Sequence, residues 1–234
     1  LHTPDHIRAW TKSIVDSFDF AHAFYLPQND QNQQLKPLPG ILIADEKTFN
    51  RKTLVITGGH HPPEVTGRIG LEHFSAEFFA DNPLSKRFRA RFNVVVVPMM
   101  NELGIINGQW RHNRAGIDSN RDWGSKQKGF NYPETIAVRN FLLSLTKQGA
   151  TLAGFIDHHS TYTLKAYTPD VKGAQKKFID CVVEKLKSQV PRLKDWEMTR
   201  LDPSRYETVA GMWASRVFDI PSIVLEYGDD TSQQ

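Results

Sequence analysis

Four short apolar runs, spaced by segments with helical periodicity, constrain this chain more than any other feature. The runs are residues 54–56, 92–99, 152–157 and 221–227. The clearest is 92–99, Phe-Asn-Val-Val-Val-Val-Pro-Met, β-branched and uncharged, as a strand covered on both faces must be. Between and beside the runs, residues 65–80, 133–147, 175–190 and 206–218 read as helices. Pro133 opens the second of these and Gly149 lies just past its end. In the first, Ile69, Phe74, Phe78 and Phe79 are the core candidates. Upstream, residues 4–18 carry Ile7, Trp10, Ile14 and Phe18 on one helical face, and 39–44 reads as a strand. Strands alternating with helices predict an α/β fold. The expected form is a three-layer α/β/α arrangement around a mixed, mostly parallel central sheet. No repeat or linker is evident, the polar stretch 28–34 reading as an exposed loop, so a single domain over 1–234 is expected.

Composition excludes several classes of function. The 39% hydrophobic and 11% aromatic content is ample for a core, which argues against a disordered chain. Net charge is +3, from 29 basic and 26 acidic residues scattered without a run, so there is no nucleic-acid footprint. No apolar stretch approaches the ~20 residues of a membrane span. One cysteine, Cys181, excludes an intrachain disulfide and a cysteine-based metal site, and is expected to be a buried or half-buried helix residue. The chain starts at Leu1 rather than Met, as a processed, cut or partial chain would. A periplasmic or secreted location is expected ahead of a cytoplasmic one. The sequence carries no signal of oligomeric state.

Chemistry-bearing residues fall where the apolar runs end. Gly58-Gly59-His60-His61-Pro62-Pro63-Glu64 joins the first run to a helix-like segment. A His and a Glu three residues apart at such a corner can grip one zinc ion, and a catalytic zinc needs three protein ligands with a position left open. Asp157-His158-His159-Ser160-Thr161 follows a second run, and Glu226 ends the last. In α/β sheets ligands gather beyond the carboxyl ends of strands. Extended backbone alternates its side chains, so one His of each doublet faces the metal: His60 or His61, His158 or His159. A carboxylate at the end of an apolar strand, as at Glu226, is costly to bury unless it is paired or used. Arg111, Arg114 and Arg121 lie within eleven residues, in Trp110-Arg111-His112-Asn113-Arg114 and Gly116-Ile117-Asp118-Ser119-Asn120-Arg121-Asp122-Trp123. Arginine's fork suits a bidentate grip on a carboxylate.

At these residues the chain resembles the zinc carboxypeptidase family, in a compact bacterial-type form. The likeness covers His-x-x-Glu, Trp-Arg, Asp-x-Asn-Arg, His-Ser and a strand-end Glu in family order, from about Leu54 to Gly228. It implies one zinc ion held by His61, Glu64 and His159. It also implies that Glu226 is the general base for a zinc-bound water, and that Arg111 polarises the scissile carbonyl. Asn120 and Arg121 would hold the substrate's free carboxylate, Tyr206 would cap the substrate, and Asp118 would orient His61. Pro62 and Pro63 stand where pancreatic relatives place a substrate-contacting Arg, and suit the first turn of the following helix. The implied activity is hydrolysis of the C-terminal peptide bond of peptides.

Two other readings stand beside it. Deacylation of N-acyl amino acids or cleavage of murein peptides, as in the aspartoacylase and desuccinylase branch, would use the same carboxylate grip. A non-catalytic binding module is opposed by the expected residue type at every position assigned a chemical role. Arg216 could select acidic side chains or be an exposed helix residue.

Overall fold

A computed structural model of the protein describes residues 2–28, 36–44, 51–112, 116–124, 132–194 and 198–229. The 28–34 stretch beyond Gln28, Arg114 and residues 230–234 lie outside these. Among the described residues eight strands form one sheet: β1 (Ala21–Leu26), β2 (Leu38–Ile43), β3 (Lys52–Gly58), β4 (Phe92–Val97), β5 (Leu152–Thr161), β6 (Lys165–Pro169), β7 (Thr199–Leu201) and β8 (Ser222–Gly228). Their order is β1-β2-β4-β3-β5-β8-β6-β7. The central pairs β4–β3, β3–β5 and β5–β8 are parallel, while β1–β2, β2–β4 and β6–β8 are antiparallel. The helices are α1 (Pro4–Ser17), α2 (Val65–Phe79), α3 (Pro83–Arg89), α4 (Glu102–Ile106), α5 (Pro133–Lys147), α6 (Gly173–Gln189) and α7 (Ala210–Phe218).

The expected mixed, mostly parallel α/β/α arrangement is what the chain adopts. Along β3 and β4 successive side chains enter opposite cores, as period-two alternation requires. Val55, Val95 and Val97 join Val138, Leu142 and Leu145 of α5 and Trp213 of α7. Ile56, Val94 and Val96 join Leu71, Phe78 and Phe79 of α2, with Trp10 and Ile14 of α1 against them. Both faces of the central strands are therefore dry, which explains their unbroken apolar runs.

Several local expectations shift. The strand expected over 152–157 runs on to Thr161, so the His doublet lies within it rather than after it. Helix α7 begins at Ala210, which leaves Tyr206 in the turn before the helix. Pro62 and Pro63 likewise sit in the turn ahead of α2, not in its first turn, and Glu64 occupies the N-cap position. Phe78 and Phe79 are buried, but Ile69 and Phe74 only half so. Cys181 is exposed, because Ile179 is the one residue α6 buries completely enough to count as core. Arg216 is exposed near the end of α7.

Candidate active site

Because β3, β5 and β8 are adjacent and parallel, their carboxyl ends lie side by side. His61 follows β3, His159 lies near the end of β5, and Glu226 is its register partner on β8. Two glycines permit the close approach. Gly59 has φ +74°, a left-handed conformation that turns the chain off β3, and a Cβ there would meet Pro98 O at 3.2 Å. Gly67, in the first turn of α2, would place a Cβ 2.6 Å from the carbonyl carbon of His159. Its missing side chain lets α2 rest directly on β5 and carries Glu64 up to His159.

The donor atoms converge. Glu64 Oε1 lies 2.6 Å from His61 Nδ1, and Glu64 Oε2 lies 2.7 Å from His159 Nδ1. Although Glu64 is the N-cap residue of α2, its carboxylate makes no cap bond and faces the two imidazoles instead. Each ring is held from behind by a carboxylate. His61 Nε2 is 3.1 Å from Asp118 Oδ1, and His159 Nε2 is 2.8 Å from Asp157 Oδ2. Both Nδ1 atoms thereby point to one spot with tautomer and orientation fixed, as zinc-binding imidazoles require. Two imidazole nitrogens and a carboxylate are also the donors zinc accepts. The residues fit the ion.

Of the doublets, His61 and His159 face Glu64. His60 accepts a hydrogen bond from Trp123 Nε1 at 3.2 Å, and its Nδ1 lies 3.2 Å from Asp157 Oδ1 without hydrogen-bond alignment. His158 points to the opposite face of β5, where Tyr227 OH lies 3.0 Å from its Nδ1 and Phe74 packs on its ring. Burial holds His158 far down, at about 3, so it stays neutral.

The two central carboxylates are driven apart. Burial works against the charge on Glu64, but His159 and His61 overcome it and hold its pKa well below the usual carboxylate range. Burial pushes Glu226 up, and the charges of Glu64 and Asp157 outweigh enough of the pull of His159 and His61 to keep it there. Glu226 Oε2 is buried and has no hydrogen-bond partner among the described residues. One carboxylate locked as an anion and one left free to exchange a proton is the arrangement that separates ligand from base.

The loop residues are disposed less uniformly. Asp118 bridges two roles, with Oδ1 toward His61 and the Asn120 N–H, and Oδ2 accepting from Arg111 Nε at 2.6 Å. This fixes Arg111 beside the donor cluster. Asn120 is buried and its amide is engaged on both sides. Oδ1 accepts from the Ala210 N–H at 2.9 Å, and Nδ2 lies 3.0 Å from His159 Nε2. Arg121 is exposed and donates to the Asn120 carbonyl at 2.9 Å. Tyr206 is exposed ahead of α7.

Sequence reasoning assigned no role to Asp157 or Tyr167. Asp157 is wholly buried, accepts from Thr57 Oγ1 at 2.7 Å and backs His159, so the closed side of the site depends on it. Its signal was available: residues 157 and 159 share a strand face. Tyr167 of β6 pairs with Val224 of β8 and feels the charges of Glu226 and Tyr206. Burial raises its pKa, and both charges raise it further.

The family model for zinc carboxypeptidases matches residues 30–211, and the chain belongs to that family. The match stops short of β8 and Glu226. Cytosolic carboxypeptidase 2 of Xenopus tropicalis is 35% identical over 78 residues, covering 33% of this chain and 8% of that protein. Cytosolic carboxypeptidase 6 of Mus musculus is 23% identical over 146 residues, covering 60% of this chain and 27% of that protein. The chain thus spans a small part of the curated relatives it matches. A metallo-carboxypeptidase from Burkholderia cenocepacia shares the fold with a TM-score of 0.77 at 20% identity, over 94% of this chain and 59% of that one. A Pseudomonas aeruginosa metallo-carboxypeptidase gives 0.72 at 16%, over 97% and 61%. Among the described residues no helix is long and apolar enough to cross a membrane.

Proposed function

We propose that the chain is a metallocarboxypeptidase that hydrolyses the C-terminal peptide bond of peptides at a single zinc ion held by His61, Glu64 and His159. The observation that carries this reading is the juxtaposition of that closed donor set with an unpartnered, proton-ready carboxylate, Glu226, on the neighbouring strand. A bound zinc ion would supply Lewis acidity toward the scissile carbonyl and make water acidic near neutral pH. Glu226 takes the proton of the attacking water and returns it to the leaving amine. Arg111, oriented by Asp118, faces the carbonyl oxygen as charge builds on it. The exposed guanidinium of Arg121 receives the substrate's free carboxylate. Asn120, its amide oxygen fixed by the Ala210 N–H, turns its NH2 to the same carboxylate, and Tyr206 closes over the bound residue. Asp118 and Asp157 keep the two imidazoles in register. The carboxypeptidases among the relatives favour this reading over deacylation of acyl amino acids.

The deciding experiment is mass spectrometry of free-acid peptides, their amidated twins, muropeptides and N-acyl amino acids after incubation, with and without a chelator. Chelator-sensitive loss of one C-terminal residue from free acids alone is expected. Cleavage of acyl amino acids in place of peptides would overturn the reading.

A further inference from the structure

We propose that His2, His6 and Glu72 form a second divalent-metal site, separate from the proposed active centre, that takes an ion of the zinc class. The three residues come from different parts of the chain: His2 precedes α1, His6 lies in its first turn, and Glu72 is in the middle of α2. The Thr3 cap brings the first two together. Thr3 Oγ1 accepts from the His6 N–H at 3.2 Å, and the turn this closes sets the His2 and His6 rings 4.3 Å apart.

Donor spacing is the strongest argument. His6 Nε2 lies 3.0 Å from Glu72 Oε1 and 3.3 Å from Oε2, and His2 Nδ1 lies 3.5 Å from Oε1. All three donors fall within 4.8 Å of one another. Ligands at 2.0–2.1 Å around tetrahedral zinc are separated by about 3.3 Å, and the observed distances straddle that value. A His–Glu ion pair alone leaves the cluster incomplete: His2 Nδ1 is buried and has no hydrogen-bond partner among the described residues. An ion between the three groups would satisfy that nitrogen and both others at once. Side-chain exposure is 15% for His2, 15% for Glu72 and 41% for His6, so the carboxylate is shielded and one side stays open to water. Arg68, one turn before Glu72, donates from its guanidinium to Pro62 O at 2.8 Å, although its charge still acts on His2 and Glu72. Two imidazoles and a carboxylate suit zinc, nickel, copper or cobalt better than calcium or magnesium. No residue is shared with the His61, Glu64 and His159 set. A bound ion would cross-link the start of the chain to α2, the helix whose first turn carries the Gly67 contact.

The test uses the full chain without a polyhistidine tag, stripped by chelator, dialysed against zinc, and assayed for bound metal. Two ions per chain are expected for the parent protein, one for His6→Ala with peptidase activity unchanged, and one for His159→Ala with activity lost. The double variant should bind none. Glu72→Gln should repeat the His6→Ala result, which guards against a folding defect in either, and circular dichroism checks both. One ion in the parent protein at saturation, or two retained in both His6→Ala and Glu72→Gln, would overturn the proposal. Retention of the full complement in His159→Ala would instead count against the active-site reading, so the two fail separately.

Discussion

The donor corner and the rim of this site are built in opposite ways. At the corner, His61, His159, Asp118 and Asp157 are buried, and every imidazole nitrogen of the two histidines has a partner within 3.1 Å. At the rim, Arg121 and Tyr206 are exposed. A buried polar group must be matched or it costs about 1–3 kcal/mol, so the corner tolerates little change. Exposed groups carry no such penalty and are free to move onto a ligand. Under the proposed function, the corner sets whether chemistry occurs and the rim sets what is presented to it.

Substitutions that break one region while sparing the other sharpen the contrast. The largest effect is expected from Glu226→Gln, which should lower kcat by about 10²–10⁴ with zinc content unchanged. Steady-state kinetics beside metal analysis checks this, and substantial residual turnover would remove Glu226 as the base. Next, Asp157→Asn should weaken zinc binding by about 10–100-fold, because the Nε2–H of His159 no longer donates to a full negative charge. Competition with a chromophoric chelator reads it out, and unchanged affinity would show that the charge of Asp157 does not set the ring's basicity. Third, Gly67→Ala should destabilise the fold by about 1–3 kcal/mol, since the new methyl meets His159 backbone rather than a yielding side chain. Denaturant unfolding measures it, and a stability loss near zero would mean that α2 can lift from β5. The smallest effect belongs to the rim: Arg121→Ala should raise KM by about tenfold for free-acid peptides and leave amidated ones alone. Equal changes for both would discard the carboxylate grip.

Much of this site could be anticipated residue by residue. His61, Glu64, His159 and Glu226 stand where apolar runs end, and a strand's end is visible as the point where β-branched residues stop. Gly67 and Asp157 were harder to assign. A glycine in a helical segment gives no sign of the backbone it must clear, and Asp157 inside an apolar run gains its meaning from Thr57 and His159 beside it. The doublets were ambiguous for the same reason. His158 and His159 differ only in which side of the sheet holds Trp123 and which holds Phe74.

The secondary elements show the same division. The central strands β3, β4, β5 and β8 are continuous and apolar, so their pattern announces them. Strands β1, β6 and β7 escaped notice because they are short edge or near-edge strands with polar or mixed faces. Helix α3 was legible in principle, since Asn82 caps it through the Ser85 N–H and Pro83 follows.

By itself the sequence determined the α/β class, the order of the chemical groups along the chain and the family to which they belong. These depend on periodicity and on residue type, which are local properties. Tertiary structure alone decided that β3, β5 and β8 lie side by side, that α2 rests on His159, and that one carboxylate is locked while the other is left unpartnered. Strand order and helix approach arise from contacts between residues as much as a hundred positions apart, such as Thr57 and Asp157, and no local pattern encodes those.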